Sequence, residues 1–265
     1  MEGNRRQPIA LYAWFLCGLL GYCAPAAAAP YLFDDSGYLG EAALMPGWQQ
    51  TLARQAEQSR QLTACIDDET TCSADQNRLK PLAHLIRKAH SLSEQRQISV
   101  VNHYVNRKRY RRDRVRTVAV HPDSEPLKYR SRWSTAAEFI ERGGDCEDYA
   151  STKYFLLRTL GLPAARMRVV IAFDRAARRH HAVLAVELAS GNIWLLDTDN
   201  IIRNQNRHDY QFVYSLNEVS IWDHESTGSG DLIARPRADE RAPPATDYPP
   251  LTFHHWFSTT DKEQS

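Results

Sequence analysis

The sequence has almost no net charge. Its 33 basic residues face 32 acidic ones, for a formal +1 at pH 7. Nucleic-acid binders carry a clear basic excess, so the balance argues against that class. No long acidic block marks a charged tail, and no internal repeat is visible. Beyond the first thirty residues the chain lacks any apolar run long enough to cross a bilayer. Cysteine is also sparse, with five in 265 residues. What is present is globular: 43% hydrophobic and 25% charged residues, in a length that suits one domain with a real core.

The first 29 residues read as a cleaved secretory signal. Arg5 and Arg6 form a basic start, and residues 9–22 form an apolar stretch too short for a span. Small residues follow at 24–29, as signal peptidase requires, with cleavage expected near Ala29. The competing reading is an uncleaved N-terminal anchor. Tyr22 is too bulky for lipidation at Cys23. The mature chain is therefore expected in the periplasm or outside the cell, not transmembrane.

Export changes how cysteine is read. Cys17 and Cys23 leave with the signal, and Cys65, Cys72 and Cys146 remain. Cys65 and Cys72 are close enough to pair in an oxidising compartment. Closing so short a loop contributes about 2.5 kcal/mol in the chain-entropy model. That leaves Cys146 as an odd thiol, which is either catalytic or a buried inert side chain.

Residues 30–47 read as irregular. Residues 48–62 and 81–92 have helical spacing, and Ser93 opens a third helix with Glu94 in its first turn. Residues 107–116, Arg-Lys-Arg-Tyr-Arg-Arg-Asp-Arg-Val-Arg, form the one basic run of the chain. This run is either a docking patch for an anionic partner or a solvated loop with snorkelling side chains, and the second reading is preferred. Residues 121–130 read as a proline-containing loop. Ser134 is the expected N-cap of a short helix carrying Glu138 and Phe139. Gly143 and Gly144 break that helix, and a longer one opens at Asp145 or Cys146 and runs to Leu160. Strands are expected over 166–173, 181–188, 192–197 and 210–216. The second and third are joined through Ala189-Ser190-Gly191. The domain is expected over 30–223, followed by a loosely ordered tail over 224–265.

The chemistry concentrates in the second half. Gly143-Gly144-Asp145-Cys146 sets the odd thiol at a helix start, where unpaired N–H groups and the macrodipole favour an anion. A cysteine there is expected to have a lowered pKa. The glycines permit a sharp turn and room for a substrate chain, and the Cys146 N–H is a candidate oxyanion donor. A thiolate nucleophile also needs a base and an orienting group. His181 opens one strand and Asp197 closes its neighbour, so an antiparallel pair brings them together. His180 rivals His181, and Asp199 rivals Asp197. Asp145, Glu147 and Asp148 oppose a thiolate nearby. A hard cation such as calcium would offset them, whereas helix capping accounts for them without a metal.

These residues resemble a known family. Gly143-Gly144-Asp145-Cys146-Glu147-Asp148-Tyr149-Ala150, continuing through Lys153-Tyr154 and Leu160-Gly161, is similar to the bacterial transglutaminase-like cysteine proteinases, whose LapG-type members are periplasmic. The likeness includes Val101-Asn102, Val105-Asn106, Trp133, Glu138-Phe139, His181-Ala182-Val183-Leu184 and Leu195-Leu196-Asp197, spanning about residues 62–222. It implies an α+β, papain/transglutaminase-like fold, in which a helix with a catalytic cysteine at its N-terminus packs on an antiparallel sheet carrying histidine and aspartate. It implies Cys146, His181 and Asp197 as the triad, and calcium held by Asp145 and Glu147 with Asp148. It further implies cleavage of a large surface adhesin beside small residues, under control of an inner-membrane cyclic di-GMP receptor. The chain departs from the family pattern at Leu196-Asp197-Thr198-Asp199-Asn200, which keeps Asp199 open as the acid. A transglutaminase or other acyl transferase uses the same thioester chemistry, and an idle envelope-binding module is the remaining alternative.

Overall fold

Pro46, with its preset φ, starts helix α1 (Pro46–Asp67) in a computed structural model of the chain. The structure describes residues 29–35, 37–68, 70, 72, 78–112, 116–118, 127–129 and 133–224. The expected leader and tail lie, but for Ala29 and His224, outside the described residues. Helix α1 is longer at both ends than its sequence pattern suggests. It buries Trp48, Leu52, Leu62 and Cys65. Trp48 stacks on Phe155 with ring centroids 5.5 Å apart, and its indole N–H donates to the Asn217 carbonyl at 2.8 Å. Cys65, near the end of α1, is joined to Cys72 by a disulfide with a Cα–Cα distance of 5.0 Å. Cys146 is the free cysteine among the described residues.

Helix α2 (Lys80–His90) buries Leu82, Leu85, Ile86 and Ala89, and α3 (Glu94–Asn106) buries Ile98, Val101 and Val105. Helix α4 (Ala136–Arg142) is capped by Thr135, not Ser134. The Thr135 hydroxyl accepts from the Glu138 N–H, while Glu138 accepts from the Thr135 N–H, a reciprocal capping box. Buried Gln55 and Gln58 of α1 accept from the Ala136 and Ala137 N–H groups, each at 2.9 Å. Those donors would otherwise be orphaned. The Ser134 N–H donates instead to the Asp148 carboxylate at 2.7 Å, one position ahead of the cap. Helix α5 (Cys146–Thr159) is buried along nearly its whole length.

Seven strands form one antiparallel sheet in the order β1-β9-β8-β4-β5-β6-β7. They are β1 (Tyr38–Glu41), β4 (Met167–Asp174), β5 (Arg179–Glu187), β6 (Ile193–Leu196), β7 (Ile202–Asn204), β8 (Tyr210–Leu216) and β9 (Ser220–Asp223). A separate two-stranded ladder pairs β2 (Arg116–Val118) with β3 (Leu127–Tyr129). The helices cover one sheet face, and most of the buried apolar residues form a single cluster there. The expected mixed helix–sheet class with a helix on an antiparallel sheet is what forms.

Several short elements escape the sequence pattern. Residues 30–47, read as irregular, contain β1 and a buried Tyr31 that packs edge-on against Phe212. Residues 127–129, read as loop, pair with 116–118. Strands β1, β7 and β9 run only three or four residues, too short for a period to show, and β1 finds its partner β9 about 180 residues away.

Candidate active site

Strand β6 pairs with β5 only from Leu184 onward, where Leu184 faces Leu196. Beyond that pair β6 peels away, and Asp197 follows directly. The notch left beside the start of β5 receives the tip of α5. The Ala182 N–H lies on the Cys146 sulfur there, so the buried thiol meets the chain one residue past His181.

His181 and Asp197 are both buried, and His181 Nε2 donates to Asp197 Oδ1 at 2.5 Å. A carboxylate only accepts, so this bond fixes the proton on Nε2 and leaves Nδ1 as the free lone pair of the neutral ring. The geometry separates the rivals. His180 packs against Phe173 with ring centroids 5.6 Å apart, while Asp199 pairs with Arg203 and is 39% exposed at its side chain. Neither joins the His181–Asp197 pair.

Asp197 is held from all sides. Its Oδ1 also accepts from the Thr198 N–H at 2.5 Å, and its Oδ2 accepts from the Tyr210 hydroxyl and, at 3.5 Å, from Arg203. Burial pushes its pKa up, but the hydrogen bonds and charge of His181, with Tyr210 and Thr198, win and hold it well below the usual carboxylate range. Its main-chain carbonyl accepts from Lys153 Nζ at 2.7 Å and Asn106 Nδ2 at 2.8 Å. Asn106 and Lys153 belong to the segments that carry the family resemblance. The roles of Tyr210, Arg203 and Thr198 were not visible in the sequence, because each depends on chain segments meeting across the sheet end. Tyr210 reads locally as an ordinary strand residue.

The thiol itself departs from expectation. Burial, then the Glu147 and Asp145 charges, push the Cys146 pKa well up, and the Ala182 N–H offsets them only in part. The helix tip is therefore outweighed by burial first and then by the acids that flank it. Glu147 Oε2 lies 3.3 Å from the sulfur, and burial and its contact with Asp145 raise the Glu147 carboxyl far above its ordinary value. Asp148 is turned away, its Oδ1 accepting from the Ser134 N–H at 2.7 Å. Of the three acids predicted to hold a metal, the structure brings Asp145 and Glu147 together and commits one oxygen of Asp148 to the backbone. No group of three or more His, Cys, Asp or Glu suited to a metal ion occurs among the described residues.

The glycines are required by the chain's own packing. Gly143 has φ +73°, and a Cβ there would meet the Arg109 carbonyl oxygen at 2.0 Å. A Cβ on Gly144 would meet Asp148 Oδ2 at 2.1 Å. The basic run is thus in part a strap. Tyr110 forms a parallel bridge with Gly144, the Arg111 N–H donates to the Gly144 carbonyl at 2.8 Å, and the Tyr149 hydroxyl donates to the Lys108 carbonyl.

A helix-tip thiol set against an antiparallel sheet belongs to the papain/transglutaminase architecture. The family model of bacterial transglutaminase-like cysteine proteinases matches residues 60–223, more than half of the chain, and the chain belongs to that family. It is also similar to solved structures of Legionella pneumophila LapG. One is 26% identical, covering 61% of this chain and 87% of that one, with a TM-score of 0.47. A calcium-bound form is 25% identical, covering 66% and 92%, at 0.48, and an EGTA-treated form is 26% identical, covering 61% and 84%, at 0.47. No curated protein matches the sequence.

Lys153 yields a test of the buried hub. Burial draws its pKa down to about 7, although Asp197 and Asp199 pull it upward. The unfolded value is about 10.4. Between the two, the unfolded chain holds a proton that the folded chain lacks, so stability rises with pH across that window and falls as pH drops toward 7. Between pH 7 and 9, urea unfolding should show the native protein gaining up to about 2 kcal/mol relative to Lys153→Met. Parallel stability curves would contradict this.

Proposed function

We propose that the chain is an exported cysteine endopeptidase in which Cys146 is the nucleophile, His181 the base and acid, and Asp197 the group that orients the imidazole. The observation that carries this reading is the buried His181–Asp197 bond at the sheet end where the thiol is lodged. With Nε2–H committed to Asp197, Nδ1 is the nitrogen left to take the thiol proton. The sulfur then attacks a peptide carbonyl, and the Cys146 N–H at the helix tip is a donor for the oxyanion. The imidazolium returns its proton to the leaving amine, which departs to leave a thioester. Water, deprotonated by His181, hydrolyses the thioester and releases the second product. Completion by an amine instead would make a transferase from the same residues.

A cation also fits this reading. Calcium prefers carboxylate and carbonyl oxygens, and Asp145 and Glu147 offer adjacent carboxyls at the helix tip. With Asp148 partly committed, backbone carbonyls or water would have to complete the shell. When bound, calcium would supply positive charge beside the thiol and stiffen the 143–148 turn. The family resemblance and the leader-like N-terminus support a periplasmic site of action. They also support a large surface adhesin as substrate, and sequestration by an inner-membrane receptor that senses cyclic di-GMP. No helix of the described residues is long and apolar enough to cross a membrane.

Two experiments test the reading. Cys146→Ala should abolish cleavage of a candidate adhesin fragment while circular dichroism and thermal melting stay close to native. Mass spectrometry of the native reaction should find shorter peptides carrying the mass of water. Crosslinked products would favour the transferase, and full activity in the variant would refute the mechanism. Excess chelator should remove most activity and lower the melting temperature, and added calcium should restore both. Indifference to the chelator would remove Asp145 and Glu147 from the ligand set.

A further inference from the structure

The basic run, which sequence reading favours as a solvated loop, does not hang free. Residues 107–112 of it are strapped along Gly143 and Gly144, the two residues that lead into Asp145 and Cys146. The Tyr110 hydroxyl feels the charges of Cys146, Asp145 and Glu147, so the strap passes on the thiol side of the turn. A second basic segment approaches from another direction. The β4–β5 hairpin carries Arg178 and Arg179 just ahead of His181, and Arg179 lies within the same reach of Tyr110. Arg178 keeps a long charged side chain at φ 52°, a conformation that glycine or asparagine adopts more easily.

Arg109, Arg112, Arg178 and Arg179 are all exposed. None forms an ion pair with an acid among the described residues, whereas Arg142 and Arg203 do. The acids close by among the described residues carry other hydrogen bonds or ion pairs, although Asp174 stands directly across the β4–β5 ladder from Arg179. Asp145 and Glu147 lie against each other at the helix tip, Glu141 is near Arg78 and Arg142, and Asp174 accepts from the Ala177 N–H. In a chain of net charge +1 this is a local concentration of cations without an ion-pair partner among the described residues, on the two segments that lie beside Gly143-Gly144 and just ahead of His181. A cleft rimmed by one sign of charge attracts the opposite sign and orients it.

We infer that Arg109 and Arg112 of the strap, with Arg178 and Arg179 of the hairpin, form a specificity rim that selects polypeptides bearing aspartate or glutamate on the flanks of the bond to be cleaved. This deepens the protease reading and rests on it. The rim sits outside the acid-lined helix tip, so the favoured acidic residues flank the scissile bond at a distance and do not adjoin it. A flat anionic surface such as a membrane is the weaker match, because the cations ring the mouth of a buried thiol on two separate loops.

The test uses full-length protein and two short fluorescent peptides with an Ala-Ala centre, one flanked by Asp and Glu and the other by Asn and Gln. Binding to Cys146→Ala is measured by fluorescence anisotropy at low and at near-physiological salt. The acidic peptide should bind about tenfold more tightly at low salt, and the advantage should shrink as salt screens it. Replacing the four arginines by glutamine should equalise the two peptides. Equal affinity in the parent protein, or a preference indifferent both to salt and to the substitutions, overturns the inference. So does binding to phosphatidylglycerol vesicles with no peptide preference, which assigns the cations to a membrane. Incubation of the native protein with both peptides separates the two claims. An acidic preference in binding with neither peptide cut keeps the rim and sinks the protease reading. Equal cutting of both peptides keeps the protease and sinks the rim.

Discussion

Burying a carboxylate is costly unless its oxygens are satisfied, and Asp197 meets that cost in full. Its side chain takes hydrogen bonds from His181, Thr198, Tyr210 and Arg203, and its carbonyl takes two more from Lys153 and Asn106. These partners come from α3, α5, β5, β7, β8 and the turn after β6. One residue therefore ties together the helical layer and the far end of the sheet. The imidazole of His181 inherits its orientation from that anchorage. Lys153, fully buried on α5, holds the Asp197 backbone and belongs to the same helix that presents Cys146.

The thiol end of the site is governed by crowding. Gly143 and Gly144 exist as glycines because Arg109 and Asp148 occupy the space where their β-carbons would sit. The strap, the turn and the helix tip thus form one packed unit. Burial and then the acids inside that unit raise the thiol's pKa, against the pull of the helix N-terminus. The strap carries Arg109 and Arg112, which form no ion pair among the described residues, and the β4–β5 hairpin carries Arg178 and Arg179. Negative charge within and positive charge at the rim are separated by only a few residues, and each has a distinct role in the account above.

Much of this was legible in one dimension because it is local. The helix at Cys146, the hairpin that delivers His181 and Asp197, and the pairing of Cys65 with Cys72 all follow from short-range spacing and composition. The family motif named the same residues. What escaped depends on distant segments meeting. Strand β1 is four residues long and meaningless without β9. Tyr210 becomes a partner of Asp197 only once β8 is placed in the sheet. Thr135, not Ser134, is the cap, and Ser134 is tied instead through its N–H to Asp148 on the next helix. Which of Asp197 and Asp199 bonds His181 depends on where β6 leaves its neighbour, which no local pattern encodes.

The dependence of the thiol on the Asp197 anchorage is best tested by alkylation of Cys146 with iodoacetamide across pH, in the native protein and in Asp197→Asn. Burial and the flanking acids hold the thiol proton, so the account predicts that alkylation of the native protein below the titration of the thiol depends on proton transfer to the oriented imidazole of His181. It predicts a slower reaction in the variant over that pH range. Superimposable profiles in two equally folded proteins would contradict it.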